Sequence, residues 1–437
     1  LDYLTFGYIM DPQQESWQGR LQYASLSDLG LRRANNQDSL AVMVAPSPAA
    51  WQQRGDLFIV ADGMGAHAAG ELASKLATDT VPLVYHKLAN RPLAEALAAA
   101  VQDANTQIHS RGEASLDFKG MGTTCTSLVL APQGAVVAHV GDSRAYRLRA
   151  NRLEQLTFDH SLVWEVRASG QIQGAVPDFI PKNVITRSLG PNPAVQVDLE
   201  GPLPILSGDT FLLCSDGLSG QVQDEEIGMI LGCQPPADAV RTLVDLANLR
   251  GGPDNITVIV VRATGNAWRD GAGTSAGLPG HPRPVHPSVW AVAGTLAVIG
   301  TGLLALGQLW PGAASLLVAT LLAGGGIVYR SGAAPPGPPS ERPAAAQRRG
   351  PYTATPCAPN ASFSARLTEI LRDLRQAATE GHWSIDWNRL DALSDQAAAA
   401  AAASDFPQAA RCCCQAISFM MAELKQQGKA RNGPAKP

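Results

Sequence analysis

The sequence lacks a pronounced charge excess and any long basic run: 34 Lys and Arg stand against 38 Asp and Glu, a formal net charge of -4 over 437 residues. Nothing in that balance argues for nucleic acid, and no nucleic-acid partner is expected. Cysteine is scarce and badly arranged for bridges or zinc. The seven thiols are odd in number, have no zinc-ligand spacing and follow no signal peptide, so reduced thiols in a cytosolic setting are expected. Three of them, Cys412, Cys413 and Cys414, are consecutive in a helical stretch and are expected to pack as small apolar side chains. The chain also lacks an initial Met, so either residues before position 1 are missing or Met10 lies nearer the true start. Its length exceeds one ordinary domain and predicts two or three units.

What the chain does have is one construction used repeatedly. The run Phe58-Ile59-Val60-Ala61 has the length and β-branching of a buried strand, and Asp62 follows it where the strand meets the turn Gly63-Met64-Gly65. Asp-Gly after an apolar run is by itself a turn signal. Here it recurs: Phe211-Leu212-Leu213-Cys214 leads to Ser215-Asp216-Gly217, and Val136-Val137-Ala138-His139-Val140 leads to Gly141-Asp142. A fourth aspartate, Asp254, stands just before the strand 256–261. Four aspartates at strand edges make a nest of hard oxygen ligands. Near the start, the polar loop 27–39 carries Arg32 and Arg33 and ends on Asp38-Ser39 before a strand over 40–44. A loop guanidinium beside such a nest is suited to phosphoryl oxygens.

Further along, strands are expected at 21–25, 127–131 and 135–149, with an interruption at Asp142. Helices are expected at 67–85 and 93–109, both with one apolar stripe, and at 236–250. Strands outnumber helices, which predicts sheet layers covered by helices. Residues 157–190 read as an insertion beside a site.

With these residues in view, 19–265 resembles the metal-dependent Ser/Thr protein phosphatases of the type 2C class, the PPM family, with bacterial-type motifs. Five segments in order carry the resemblance: 27–39, 61–74, 120–124, 140–145 with 213–218, and 252–257. It implies an α+β fold, an antiparallel β-sandwich flanked by helix pairs on both faces. It also implies two, possibly three, Mn2+ or Mg2+ ions. Asp62 would bridge two of them, the Gly63 carbonyl would ligate one, Asp216 and Asp254 would complete the shell of the first ion, and Asp142 would take a looser third ion. Arg33 would hold the phosphate and Asp38 would support the cluster. Two ions clamp such a site, polarise phosphoryl oxygens and lower the pKa of a bridging water that attacks phosphorus in line. No protein nucleophile is then needed, in keeping with the absence of a GxxxxGKS loop and of a cysteine followed by a phosphate-binding arginine. Implied substrates are proteins phosphorylated on Ser or Thr, with an opposing Ser/Thr kinase. Two departures stand out. Gln37 replaces the family's usual Glu, which weakens the second ion's site. Met64 replaces the His assigned as general acid in the animal and plant branch, leaving His67 and His160 as substitutes.

Beyond this domain, 266–287 reads as a Gly/Pro linker. The uncharged segments 288–309 and 313–328 predict two transmembrane helices within 288–330, with arginines on both outer flanks and hence both ends cytoplasmic. A multi-pass cell-membrane protein with a cytoplasmic catalytic domain is therefore expected. Residues 331–361 read as a disordered Pro/Ala/Arg-rich linker, 362–427 as a small all-α domain with tetratricopeptide-like spacing and a docking role, and 1–18 and 428–437 as tails. Two rivals to the phosphatase reading remain: a catalytically impaired binding or receiver module, and a two-metal hydrolase of small phosphoesters.

Overall fold

The structure is a computed structural model and describes residues 19–65, 68–169, 181, 184–268, 301 and 350–431. The chain divides into two compact units, one formed by Leu1–Arg269 with Ala346–Pro437 and the other by Asp270–Ala345. Apart from Thr301, the second unit lies outside the described residues.

The first unit is built on two sheets whose strands pair antiparallel. One contains β1 (Leu21–Asp28), β7 (Arg144–Arg149), β8 (Arg152–Gln155), β10 (Thr210–Cys214), β11 (Ile256–Ala263) and β12 (Thr353–Pro356), in the order β1-β11-β10-β7-β8-β12. The other contains β2 (Asp38–Met43), β3 (Asp56–Met64), β5 (Cys125–Ala131), β6 (Gly134–Val140) and β9 (Asp198–Leu203), in the order β2-β3-β5-β6-β9, with the short β4 (Gly122–Thr123) on the end of β3. Strand alternation sorts side chains into layers. Phe58 and Val60 of β3 meet Phe211 and Leu213 of β10 in the core between the sheets, while Leu57, Ile59 and Ala61 face the helices outside. Those helices are α2 (Ala69–Lys87) and α3 (Leu93–Glu113), following a short α1 (Pro48–Arg54). Their alanine-rich stripes, including Ala73, Ala77, Ala100 and Ala104, pack flat against the sheet. On the opposite outer face, α6 (Asp224–Cys233) and α7 (Pro236–Leu249) cover Leu212, Val258 and Val260. The short α4 (Leu162–Ala168) and α5 (Asp216–Ser219) precede them. The expected helix-flanked sandwich is present.

The C-terminal region differs from expectation. Its helices α8 (Ala361–Glu380), α9 (Trp387–Ala402) and α10 (Phe406–Arg431) form no domain apart: Phe363, Leu367, Cys413, Ile417 and Met420 share one buried cluster with Ile227, Ile230 and Leu243 of α6 and α7. Gly228 marks how closely the two parts fit, because a Cβ there would lie 2.5 Å from the Cys357 sulfur. Cys412, Cys413 and Cys414 are buried free thiols, packed as expected. Part of the stretch 331–361, expected to be disordered, is instead ordered: β12 extends the first sheet by pairing with β8. Likewise part of the expected 266–287 linker belongs to the core: the Trp268 ring is buried, stacks edge-on against Trp51 at 5.1 Å, and its indole N–H donates to the Arg20 carbonyl at 2.8 Å. Apolar aromatic area of that size is worth about 2 kcal/mol when buried, which composition alone did not reveal.

The membrane expectation is corrected. Among the described residues no helix is long and apolar enough to cross a membrane, and a multi-pass membrane protein is not supported. The segment 288–330, on which that expectation rested, lies outside the described residues except for Thr301.

Candidate metal centre

The aspartates singled out in the sequence meet at one end of the sandwich. Asp38 opens β2 directly opposite Asp62 in the antiparallel register of β2 and β3. Asp216 begins α5 immediately beyond β10, Asp254 precedes β11, and Asp142 lies between β6 and β7. Two adjacent sheets therefore deliver five carboxylates to one place because each strand ends there.

Backbone clamps fix the central one. The Asp62 N–H donates to the Thr124 hydroxyl at 2.8 Å, and the Asp62 carbonyl accepts from the Thr123 hydroxyl at 2.9 Å and the Thr124 N–H at 2.9 Å. Gly63 must be glycine: a Cβ there would lie 2.0 Å from the Gly70 carbonyl oxygen and 2.6 Å from that of Gln37. Ser215 ties the other strands in, donating to Asp38 at 2.8 Å and accepting from the Thr257 N–H at 3.0 Å. Asn255 anchors the arginine loop. Its amide donates to the carbonyls of Leu29 at 2.9 Å and Asn35 at 3.1 Å and accepts from the Gln37 N–H at 2.8 Å. Sequence reasoning missed Thr123, Thr124, Ser215, Asn255 and Thr257; only Ser215 and Asn255, each next to an aspartate in the chain, left a signal that could have been read.

Electrostatically the carboxylates oppose one another. Burial and then the charges of Asp38, Asp216, Asp142 and Asp254 raise the Asp62 pKa well above the carboxylate range. Asp38 is pushed up to about 7, by burial first and then by Asp216 and Asp254 against the hydrogen bonds of Thr257 and Ser215. Asp142 rises to about 7, through burial and then through Asp216 and Asp159. Asp216 is raised by burial and by Asp254, with a hydrogen bond to Asp62 acting the other way. Among the described residues no three His, Cys, Asp or Glu side chains stand close enough together to hold a metal ion as placed. Mutual repulsion favours that spacing, and the Arg33 guanidinium draws Asp254 toward itself at 2.6 Å. Even so, one oxygen each of Asp38, Asp142 and Asp216 is buried without a hydrogen-bond partner. Buried acceptors of this kind are normally satisfied, and carboxylate oxygens left without a partner are the hard donors a divalent cation takes.

The remaining expectations divide. Arg33 is half exposed and paired with Asp254 rather than pointing free. Gln37 sits between β2 and the glycine turn, its backbone carbonyl accepting from the Gly63 N–H at 3.1 Å and the Ser74 hydroxyl at 2.5 Å. His160 is structural: it is buried, its Nδ1 accepts from the Gly141 N–H at 3.0 Å, and its Nε2 lies 3.1 Å from Asp198. With both ring nitrogens engaged, it holds the Asp142 turn and has no nitrogen left for a leaving group. His67 lies outside the described residues.

A family profile described as Protein phosphatase 2C matches residues 32–248. The chain is 37% identical over 241 residues to a putative protein phosphatase 2C-type of Streptococcus pyogenes, covering 54% of this chain and 94% of that protein. It is 38% identical over 247 residues to the serine/threonine protein phosphatase PstP of Mycobacterium tuberculosis, covering 55% of this chain and 44% of PstP. Among solved structures, that of M. tuberculosis PstP/Ppp is 37% identical with a TM-score of 0.49, over 56% of this chain and 99% of the other. The PstP catalytic domain in complex with two manganese ions is 36% identical with a TM-score of 0.48, over 56% and 98%.

Proposed function

This chain belongs to the protein phosphatase 2C family, and on that premise we propose that it hydrolyses phosphoserine and phosphothreonine in proteins with Mn2+ or Mg2+. The observation that carries the reading is the set of buried, unpartnered carboxylate oxygens on Asp38, Asp142 and Asp216 beside Asp62. Asp62, the Gly63 carbonyl, Asp216 and Asp254 would hold two ions and Asp142 a third. Such ions, when bound, supply Lewis-acid charge and a water of lowered pKa. The chain's own residues do the rest. Asp38, opposite Asp62 and held by Ser215, adds negative charge to the cluster. Arg33, long and half exposed, can exchange Asp254 for a phosphoryl group, which offers its fork a second and stronger anion. Thr123 and Thr124 keep Asp62 from moving as charge arrives.

An opposing Ser/Thr kinase is the matching partner, since the substrate must first be phosphorylated. A catalytically impaired binding module draws only on Gln37, and small phosphoesters would use the same centre. Turnover of a phosphothreonine peptide and of p-nitrophenyl phosphate by the full chain, chelator-treated and then given Mn2+, tests the proposal. Mn2+-dependent turnover of the peptide is expected. A protein inert toward both substrates with Mn2+ or Mg2+ is the impaired module, and one that turns over only the small ester is not a protein phosphatase.

A further inference from the structure

The C-terminal helices reach the candidate metal centre through Lys425, a side chain outside the residues 32–248 that the family profile matches. It stands on α10 one turn beyond Met421, which is buried in the core shared with α6 and α7, so the ammonium projects from a fixed base. It donates to Asp28 at 3.0 Å and lies 3.5 Å from Asp245 of α7. One cation thus serves two carboxylates. Burial raises the Asp245 pKa to about 6, with Lys425 acting the other way. Burial acts on Asp28 in the same sense, yet hydrogen bonds from Asn248 and Gly30 and the charge of Lys425 hold it below its ordinary value.

Asp28 is the last residue of β1 and the root of the loop that carries Arg33. The carboxylate oxygen not taken by Lys425 accepts from the Gly30 N–H at 3.0 Å and from the Asn248 amide at 3.0 Å. Gly30 lies directly against the backbone of Asp254: its φ is +77°, and a Cβ there would stand 2.1 Å from the Asp254 carbonyl oxygen. The next residue is tied to the same turn, the Leu31 N–H donating to the Gly252 carbonyl at 2.8 Å. Arg33 then pairs with the Asp254 carboxylate at 2.6 Å. A shift of Asp28 is therefore passed to both. Without Lys425, Asp28 would face Asp245 with no cation between them, and two partly buried like charges push apart.

We propose that Lys425 is a positioning residue for the phosphatase reaction: from the C-terminal helices it holds Asp28, and through Asp28 the loop that presents Arg33 to the phosphoryl group. The kinetic part rests on the phosphatase reading; the hold on the loop does not. Lys425→Met, which keeps most of the stem and removes the charge, tests both in the full chain. Amide hydrogen exchange over residues 29–37, measured without substrate, should be about threefold faster than in the wild type, within the range an exposed ion pair contributes, while exchange in α2 is unchanged. The KM for a phosphothreonine peptide in saturating Mn2+ should rise about threefold, with kcat within about 1.5-fold. Lys425→Arg should restore both, and in an Asp28→Asn background Lys425→Met should change neither. A wild type inert toward the peptide sinks the phosphatase reading and leaves exchange to judge the hold on the loop. The proposal is overturned if Lys425→Met exchanges in that loop as the wild type does, or if α2 loosens equally. It is also overturned if KM stays within about 1.5-fold of an active wild type, or if the effect persists undiminished in the Asp28→Asn background.

Discussion

Replacing Asn255 by alanine separates the loop carrying Arg33 from the strand carrying Asp254. Three hydrogen bonds are lost, to the carbonyls of Leu29 and Asn35 and from the N–H of Gln37. At about 1 kcal/mol net for each, the loss would reach about 3 kcal/mol if the freed backbone groups stayed buried. They do not all stay buried, because the loop lies at the surface: Leu31 is 65% exposed. Water can re-engage some of them, so the expected loss of global stability is about 1–2 kcal/mol, read from urea denaturation. The rest appears as loop disorder, which misplaces Arg33 and the second ion's surroundings. The KM for a phosphothreonine peptide should then rise at least about tenfold, each tenfold step being ~1.4 kcal/mol, with a smaller fall in kcat. An Asn255→Ala protein with KM within about twofold of the wild type and stability within about 0.5 kcal/mol would refute this account of the loop.

Two further outcomes are expected. Gln37→Glu places a carboxylate beside the Gly63 turn and should lower the Mn2+ concentration for half-maximal turnover; an unchanged or higher requirement in a metal titration would count against it. Asp198 has a pKa lowered to about 2; burial acts to raise it, but the His160 hydrogen bond and charge, with Arg187, outweigh that. Because its folded pKa is depressed, its contribution, about 1 kcal/mol once solvent screening of this half-buried group is allowed for, is complete above the unfolded value near 4 and is lost as pH falls toward 2. Asp198→Asn should therefore be less stable than the wild type at pH 7 in urea denaturation, and the gap should close by about pH 2; an equal gap at both pH values would contradict it.

The sandwich was legible because β3, β10 and β11 are apolar runs ended by polar turns, a pattern that depends only on local sequence. The aspartates were legible for the same reason, each lying where such a run starts or stops. Long-range dependence hid the rest. The Thr124 clamp on Asp62 joins positions 62 residues apart and the Ser215 bond to Asp38 spans 177, and no periodicity carries information across such separations. Arg33 was placed in the right loop, but its pairing with Asp254 depends on the fold bringing residues 221 apart together. The C-terminal helices misled because their stripes show that something must cover them without saying what; α6 and α7 do so. Similarly, Trp268 lies in a stretch whose Gly and Pro content reads as linker, and only the pocket against Trp51 reveals it as core.

The central claim is that Asp62 and Asp216 form the heart of a metal-dependent phosphatase centre, and Asp216→Asn tests it most directly. The substitution keeps the shape and removes one charge from a carboxylate that has a buried, unpartnered oxygen. Phosphothreonine-peptide turnover in saturating Mn2+ should fall at least about 100-fold, since such ions contribute several kcal/mol to transition-state stabilisation, while the melting temperature holds or rises as repulsion is relieved. Turnover equal to the wild type in a folded Asp216→Asn protein would contradict the account.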